Sequence, residues 1–233
     1  MGNNNYLAIS DTQIPFEAHK ALEFCRYVKR HFNIPDENVL SVGDEVDQYF
    51  GSLYKKSVDA DMSAIQEIKI TREKIKEWVK AFPIMRVAES NHGMRWAKKA
   101  AEAEIPSQMI RMYQEILGIP DTWRYQRKWI IDAGKRRFML KHGLGYGGQY
   151  PFKQAPLIEG MNVVFGHLHS SAGIAYIKTD GYETELWGMN TGCLIDVSSF
   201  AFHYERDNKF KPNLCIGVIL NGGTTPVLIP YEA

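Results

Sequence analysis

The chain has 233 residues, 45% of them hydrophobic and 24% charged, with a formal net charge of +1. That make-up excludes a disordered or fibrous chain and suits an ordinary globular protein, long enough for one α/β domain spanning 1–233. No run of 18 apolar residues occurs, the start MGNNNYLAIS has no basic n-region, and the three cysteines, Cys25, Cys193 and Cys215, are widely spaced. A membrane span, a secretory leader and a disulfide framework are therefore not expected, and the chain reads as cytoplasmic.

In chain order, Tyr6 to Ser10 reads as a first strand and Glu17 to Phe32 as a helix, with Ala21, Phe24, Cys25, Val28 and Phe32 near helical spacing. Val39 to Val42 is a second strand. A long amphipathic helix is expected over Val58 to Phe82, where apolar residues recur every three or four positions until Pro83 ends it. Ile84 to Ala88 is the third strand, and this β-α-β-α-β order implies parallel strands with right-handed crossovers. Arg95 to Gly118 reads as a helical insertion broken at Pro106, with Ser107 able to cap a second segment and Gly118 as its stop. From Lys128 onward short strands follow: Trp129 to Asp132, Arg137 to Lys141, Val163 to Phe165, Ile174 to Ile177, Leu186 to Met189, Leu214 to Leu220 and Val227 to Ile229. Helices flanking one half and hairpins closing the other suggest an α/β fold, a four-layer α/β/β/α sandwich of two mixed sheets flanked by helices.

Five segments carry groups able to hold metal: DTQ at Asp11 to Gln13, GDEVD at Gly43 to Asp47, SNH at Ser90 to His92, KHG around His142, and GHLH at Gly166 to His169. Each follows a short apolar run (YLAI, VLSV, IMRVA, FMLK, NVVF), so each is expected at the C-terminal tip of a buried strand, where α/β sheets place their sites. Taken alone, Asp44 and Asp47 read as capping or turn carboxylates, and His167 and His169 as one core and one solvent-facing residue. Occurring together, with four of the seven histidines among them, they favour one site. The chemistry fits phosphate-ester hydrolysis, in which two divalent ions roughly 3.5–4 Å apart clamp the attacking and leaving oxygens. Mixed N/O ligands suit Mn, Fe, Zn or Ni better than an all-oxygen Mg site, and Mn2+ is the first expectation.

These motifs resemble those of the calcineurin-like metallophosphoesterase superfamily, DxH, GDxxD, GNH[DE], H and GHxH, over roughly residues 6 to 200. The resemblance implies that Asp11, Gln13, Asp44 and His169 hold one metal, and that Asp44 bridges to a second completed by Asn91, His142 and His167. It places His92 beside the metals as the acid that protonates the leaving oxygen, with Asp47 orienting it. Two departures stand out. Gln13 replaces a histidine, which predicts a weaker first metal, and SNHG has Ser90 for the family's glycine and Gly93 for its acid. The short pattern also resembles bacteriophage-encoded, exonuclease-like phosphoesterases.

For the substrate, Asp47 is followed by Gln48-Tyr49 rather than the Arg-Gly of the superfamily's protein phosphatases. Arg95 either binds phosphate in its place or is a solvated helix residue. Between Arg95 and Lys141 there are eleven Lys/Arg against five Asp/Glu, interleaved with Trp96, Tyr113, Trp123, Tyr125 and Trp129. Such a pattern fits either a DNA- or RNA-binding face or a solvated helical surface with its aromatics in the core. A phosphodiesterase acting on nucleic acid or nucleotides is the leading expectation. A phosphomonoesterase acting on small metabolites and a catalytically weak binding module are the alternatives.

Overall fold

Strand residues here alternate between two apolar environments, and that period of two builds the architecture. The computed structural model describes residues 4–52, 58, 60–178, 185–205 and 209–232. Its first half runs β1 (Tyr6–Ile9), α1 (Ala21–His31), β2 (Val39–Ser41), α2 (Ala64–Ala81), β3 (Met85–Ala88), α3 (Arg95–Glu102), α4 (Tyr113–Leu117) and β4 (Trp123–Gln126). The second half runs β5 (Lys128–Asp132), β6 (Arg137–Lys141), α5 (Pro151–Glu159), β7 (Asn162–Phe165), β8 (Gly173–Ile177), β9 (Leu186–Asn190), β10 (Cys215–Leu220) and β11 (Thr225–Pro230).

Two mixed sheets result. One has the order β11-β10-β1-β2-β3-β4, parallel from β1 to β4 with an antiparallel hairpin beside β1; the other has the order β5-β6-β7-β9-β8. Between them lies an apolar cluster of Tyr6, Ala8, Leu40, Val42 and Ala88 from the first sheet and Phe138, Leu140, Val164, Trp187 and Met189 from the second. The intervening residues Leu7, Ile9, Met85, Val87, Ile216 and Val218 face outward, against Cys25 and Val28 of α1 and Ile75 and Trp78 of α2. On the far side Met139, Val163 and Phe165 meet Ala155 of α5. The layers are therefore helix, sheet, sheet, helix, as the strand pattern predicts.

Boundaries differ where backbone groups find other partners. The first helix begins at Ala21 rather than Glu17, because Ala18 donates its N–H to the Leu194 carbonyl and Glu17 bridges Ile195. The second begins at Ala64 instead of Val58, since the Ser63 hydroxyl and the Gln66 side chain form a capping box there; part of the expected start lies outside the described residues. The insertion breaks at Pro106 as expected, but its second helix starts only at Tyr113, ending at Gly118 in the left-handed region. Two elements were not anticipated. β4 extends the first sheet parallel to β3, and α5 starts with Pro151 in its first turn and stops at Gly160. All three cysteines are buried and unbridged. No helix among the described residues is long and apolar enough to cross a membrane.

Phe138 sits fully buried between the Tyr6 ring, at 5.4 Å, and the Trp187 ring, at 5.8 Å. Phe138→Ala is expected to cost about 3–5 kcal/mol of unfolding free energy, read from denaturant midpoints. A loss below about 1 kcal/mol would show that the two sheets do not close over this side chain.

Candidate metal centre

The parallel strands β1, β2 and β3 of one sheet and β6 and β7 of the other end at the same edge of the sandwich, and all five motif segments leave from those ends. The two sheets approach closely behind β2. Gly43 has φ 101°, and a Cβ there would lie 2.7 Å from the Ala88 carbonyl oxygen and 2.9 Å from His142 Nδ1, so no larger residue fits this approach. The next residue, Asp44, also lies in the left-handed region at φ 48°, as do Gln13 at 47° and His167 at 69°. Left-handed backbone at non-glycine residues costs of order 1–3 kcal/mol each and persists only where surrounding contacts over-determine it.

The structure brings together all seven residues expected as ligands. Asp11 Oδ2 accepts from the His167 backbone N–H at 2.9 Å and lies 3.1 Å from His169 Nε2, which is 3.2 Å from Gln13 Nε2. In the neighbouring group, Asp44 Oδ2 lies 3.3 Å from His142 Nε2, and that nitrogen is 2.8 Å from Asn91 Oδ1. The rings of His142 and His167 are 4.9 Å apart. Asp44, His142 and His167 each present one ligand atom, all within 4.8 Å of one another, a set able to hold a metal ion. His142 Nδ1 is 2.9 Å from the Val42 carbonyl oxygen; donating its proton there fixes the tautomer that leaves Nε2 facing the carboxylate.

Two further observations fit a cation. Asp11 Oδ1 and Gln13 Oε1 are buried with no hydrogen-bond partner among the described residues, a costly arrangement without a ligand. The field is polarised as well. Burial alone would raise Asp44, but the adjacent His142 and His92 hold it well below the usual carboxylate range. Burial alone would depress His142, but the Asp44 carboxylate pushes it up to about 9. His167 is lowered by burial and by His142 beside it.

His92, Asp47 and Arg95 form a second layer on the same spot. The His92 N–H donates to Asp44 Oδ1 at 3.1 Å, and its Nδ1 is 2.9 Å from the Asp47 carbonyl oxygen and 3.4 Å from the Asp47 carboxylate. Arg95 is not a solvated helix residue. Its guanidinium donates to Asp47 Oδ1 at 2.9 Å and reaches His92 Nε2 at 2.8 Å. The buried Glu67, raised to about 7 by burial and by Asp47, accepts from the N–H groups of Tyr49 and Phe50 just beyond.

The basic and aromatic segment separates into inside and outside. Trp123 donates to the Phe82 carbonyl, Trp129 to the Val87 carbonyl, and Tyr113 and Tyr125 to Glu45, so these rings pack inward. Lys98, Lys99, Arg124, Arg127 and Lys128 stay exposed. Arg137 lies at the start of β6, about 16 Å of strand from His142, and does not border the centre.

No protein-family model matches the chain, and no curated protein does. Among solved structures it is similar to an archaeal phosphodiesterase (TM-score 0.49, 13% identity, 97% of this chain and 99% of that one). It is also similar to Vacuolar Protein Sorting 29 from Cryptosporidium parvum (TM-score 0.43, 13% identity, 99% of each chain) and to wild-type Vps29 from Entamoeba histolytica complexed with zinc (TM-score 0.43, 11% identity, 95% of this chain and 88% of that one).

The charges of the centre set a pH dependence in chelator-treated protein. A histidine whose folded value, about 9, exceeds its unfolded value near 6.5 contributes stability that is complete below the lower figure and lost as pH rises through the higher one. Unfolding free energy is therefore expected to fall between about pH 6.5 and 9, and Asp44→Asn should flatten that decline. A parent profile already flat across this window would show that Asp44 does not charge His142.

Proposed function

We propose that the chain is a metal-dependent phosphoesterase that hydrolyses phosphodiester bonds in nucleic acid or nucleotides. The observation that carries this reading is the convergence of five sequence-distant segments on one buried cluster of carboxylates, imidazoles and amides at the strand ends. In it, Asp11, Gln13, Asp44 and His169 would hold one divalent ion, Mn2+ first, while Asp44, Asn91, His142 and His167 would hold a second. Lewis acidity toward the phosphoryl oxygens is the chemistry bound ions supply.

The protein's own groups do the rest. His92 donates from Nδ1 to the Asp47 carbonyl, which leaves Nε2 to carry the proton given to the leaving oxygen. Arg95 donates to that same nitrogen, so Nε2 takes up its proton only when the guanidinium turns away. Phosphate oxygens are its natural next partner, because the planar fork makes paired bonds to them. Substrate binding and readiness of the acid are thereby one event. The exposed Arg127 and Lys128 follow Gln126, whose carbonyl accepts the Glu89 N–H beside the SNH segment, and on this reading they take a second phosphate.

The test uses purified protein with Mn2+ on bis-p-nitrophenyl phosphate and p-nitrophenyl phosphate. Diester turnover is expected, and it should fall about 10²–10⁴-fold in His92→Ala with Mn2+ binding retained. Turnover of the monoester alone would point to a phosphomonoesterase, and neither metal binding nor turnover to a binding module. Reversing charge at Arg127 and Lys128 should weaken cleavage of a polynucleotide while sparing the small diester. Equal loss on both substrates would remove the nucleic-acid part of the reading.

A further inference from the structure

Glu45 lies between the carboxylates of the GDEVD segment and is 4% exposed, yet its side chain does not face the metal cluster. Its Oε1 instead accepts from two phenols, Tyr113 at 2.6 Å and Tyr125 at 3.0 Å. Those rings meet edge-on with centroids 6.1 Å apart, one from α4 of the insertion and one from β4. The Glu45 carbonyl oxygen accepts from the Thr12 hydroxyl at 3.1 Å and from the Ile14 N–H at 3.1 Å. Beside it, the Gln13 N–H donates to the Asp44 carbonyl at 2.8 Å. This one residue thus ties the loop of Asp11 and Gln13, the turn at Asp44 and the segment from the insertion to β4. Gly93 completes the arrangement, because a Cβ there would lie 3.2 Å from the Tyr113 hydroxyl and 3.3 Å from its ring. Tyr113 is seated directly on the residue after His92.

We propose that Glu45, Tyr113 and Tyr125 are positioning residues for the metal-binding turn: the two phenols anchor the Glu45 carboxylate and so hold Asp44 in the left-handed conformation that aims its carboxylate at His142 and His92. The proposal rests on the functional reading above, in which Asp44 bridges the ions. Its physical basis is twofold. A left-handed aspartate returns to ordinary backbone unless its neighbours are pinned. A buried carboxylate is tolerated only while hydrogen-bonded, so Glu45 deprived of its phenols gains solvation chiefly by moving the turn, and Asp44 moves with it. The helical insertion becomes a structural part of the metal centre through Tyr113.

The test combines Mn2+ titration calorimetry, hydrogen exchange of the Gly43 to Asp47 amides and thermal denaturation on the full chain. The double variant Tyr113→Phe/Tyr125→Phe keeps both rings. It is expected to lose about 10–100-fold in Mn2+ affinity, the range that follows when groups holding the ligands in place are removed. Its 43–47 amides should exchange faster while those of β10 and β11 are unchanged. Glu45→Gln retains an oxygen that accepts from both phenols and should stay close to the parent in Mn2+ affinity, whereas Glu45→Leu should fall with the double variant. Equal Mn2+ affinity in parent and double variant, unchanged exchange of the turn, or equal losses in Glu45→Gln and Glu45→Leu would overturn the positioning role. A parent that binds no Mn2+ would instead overturn the functional reading, and the exchange comparison would then decide alone whether the phenols hold the turn.

Discussion

Two carboxylates, Asp11 and Asp44, are buried at 0% and 1% exposure where the ends of two sheets meet, and the surrounding structure answers that burial. An isolated buried carboxylate costs several kcal/mol unless it is paired and hydrogen-bonded. Around Asp11 the compensation is the His167 N–H and the His169 imidazole; around Asp44 it is the His92 N–H and the imidazole of His142. These partners only partly satisfy the pair, since Asp11 keeps an oxygen with no hydrogen-bond partner among the described residues. A divalent cation is the ligand for which such incomplete compensation is useful.

The geometry of the sheets makes this concentration of charge possible. The layer between the sheets is largely apolar, from Tyr6 and Leu40 to Trp187 and Met189, with the buried Asn162 of β7 hydrogen-bonded to the Arg137 carbonyl and the Trp187 N–H, and the titratable cluster begins where the strands stop. The close approach at Gly43 brings Val42 and His142, one from each sheet, within hydrogen-bond distance, and the His167 N–H reaches Asp11 in the other direction, so each sheet orients a side chain of the other.

Much of this was legible in the residues. The short continuous apolar runs predicted the strands, and polar groups directly after them marked the ends at which Asp11, Asp44, Asn91, His142 and His167 collect. What escaped reading was tertiary in origin. β4 carries Trp123 and Tyr125 with Arg124 between them, and a short mixed stretch becomes a strand only because the open edge of β3 is beside it. In α5, Pro156 disguises a helix whose cover of β7 and β9 supplies the stability that propensity does not. Helix starts moved where distant carbonyls claimed the first N–H groups, as Leu194 does for Ala18. Nothing in the sequence sets Glu45 apart from its neighbours Asp44 and Asp47, because its phenol partners lie far along the chain. Arg95 was readable as a candidate by its spacing from His92, but its pairing with Asp47 was not.

The position of β1 has a consequence for how the protein is made. β1 is flanked by β2 on one side and by β10 on the other, with Tyr6 opposite Ile219, and the Asp11 carbonyl accepts the Leu194 N–H. On the ribosome, where chains grow at about 5–20 residues per second, Asp11 is therefore synthesised early but waits many seconds for the strand that fixes its loop. Nascent chains that stop short of Cys215 carry all five motif segments and still lack the strand against which the first of them is set.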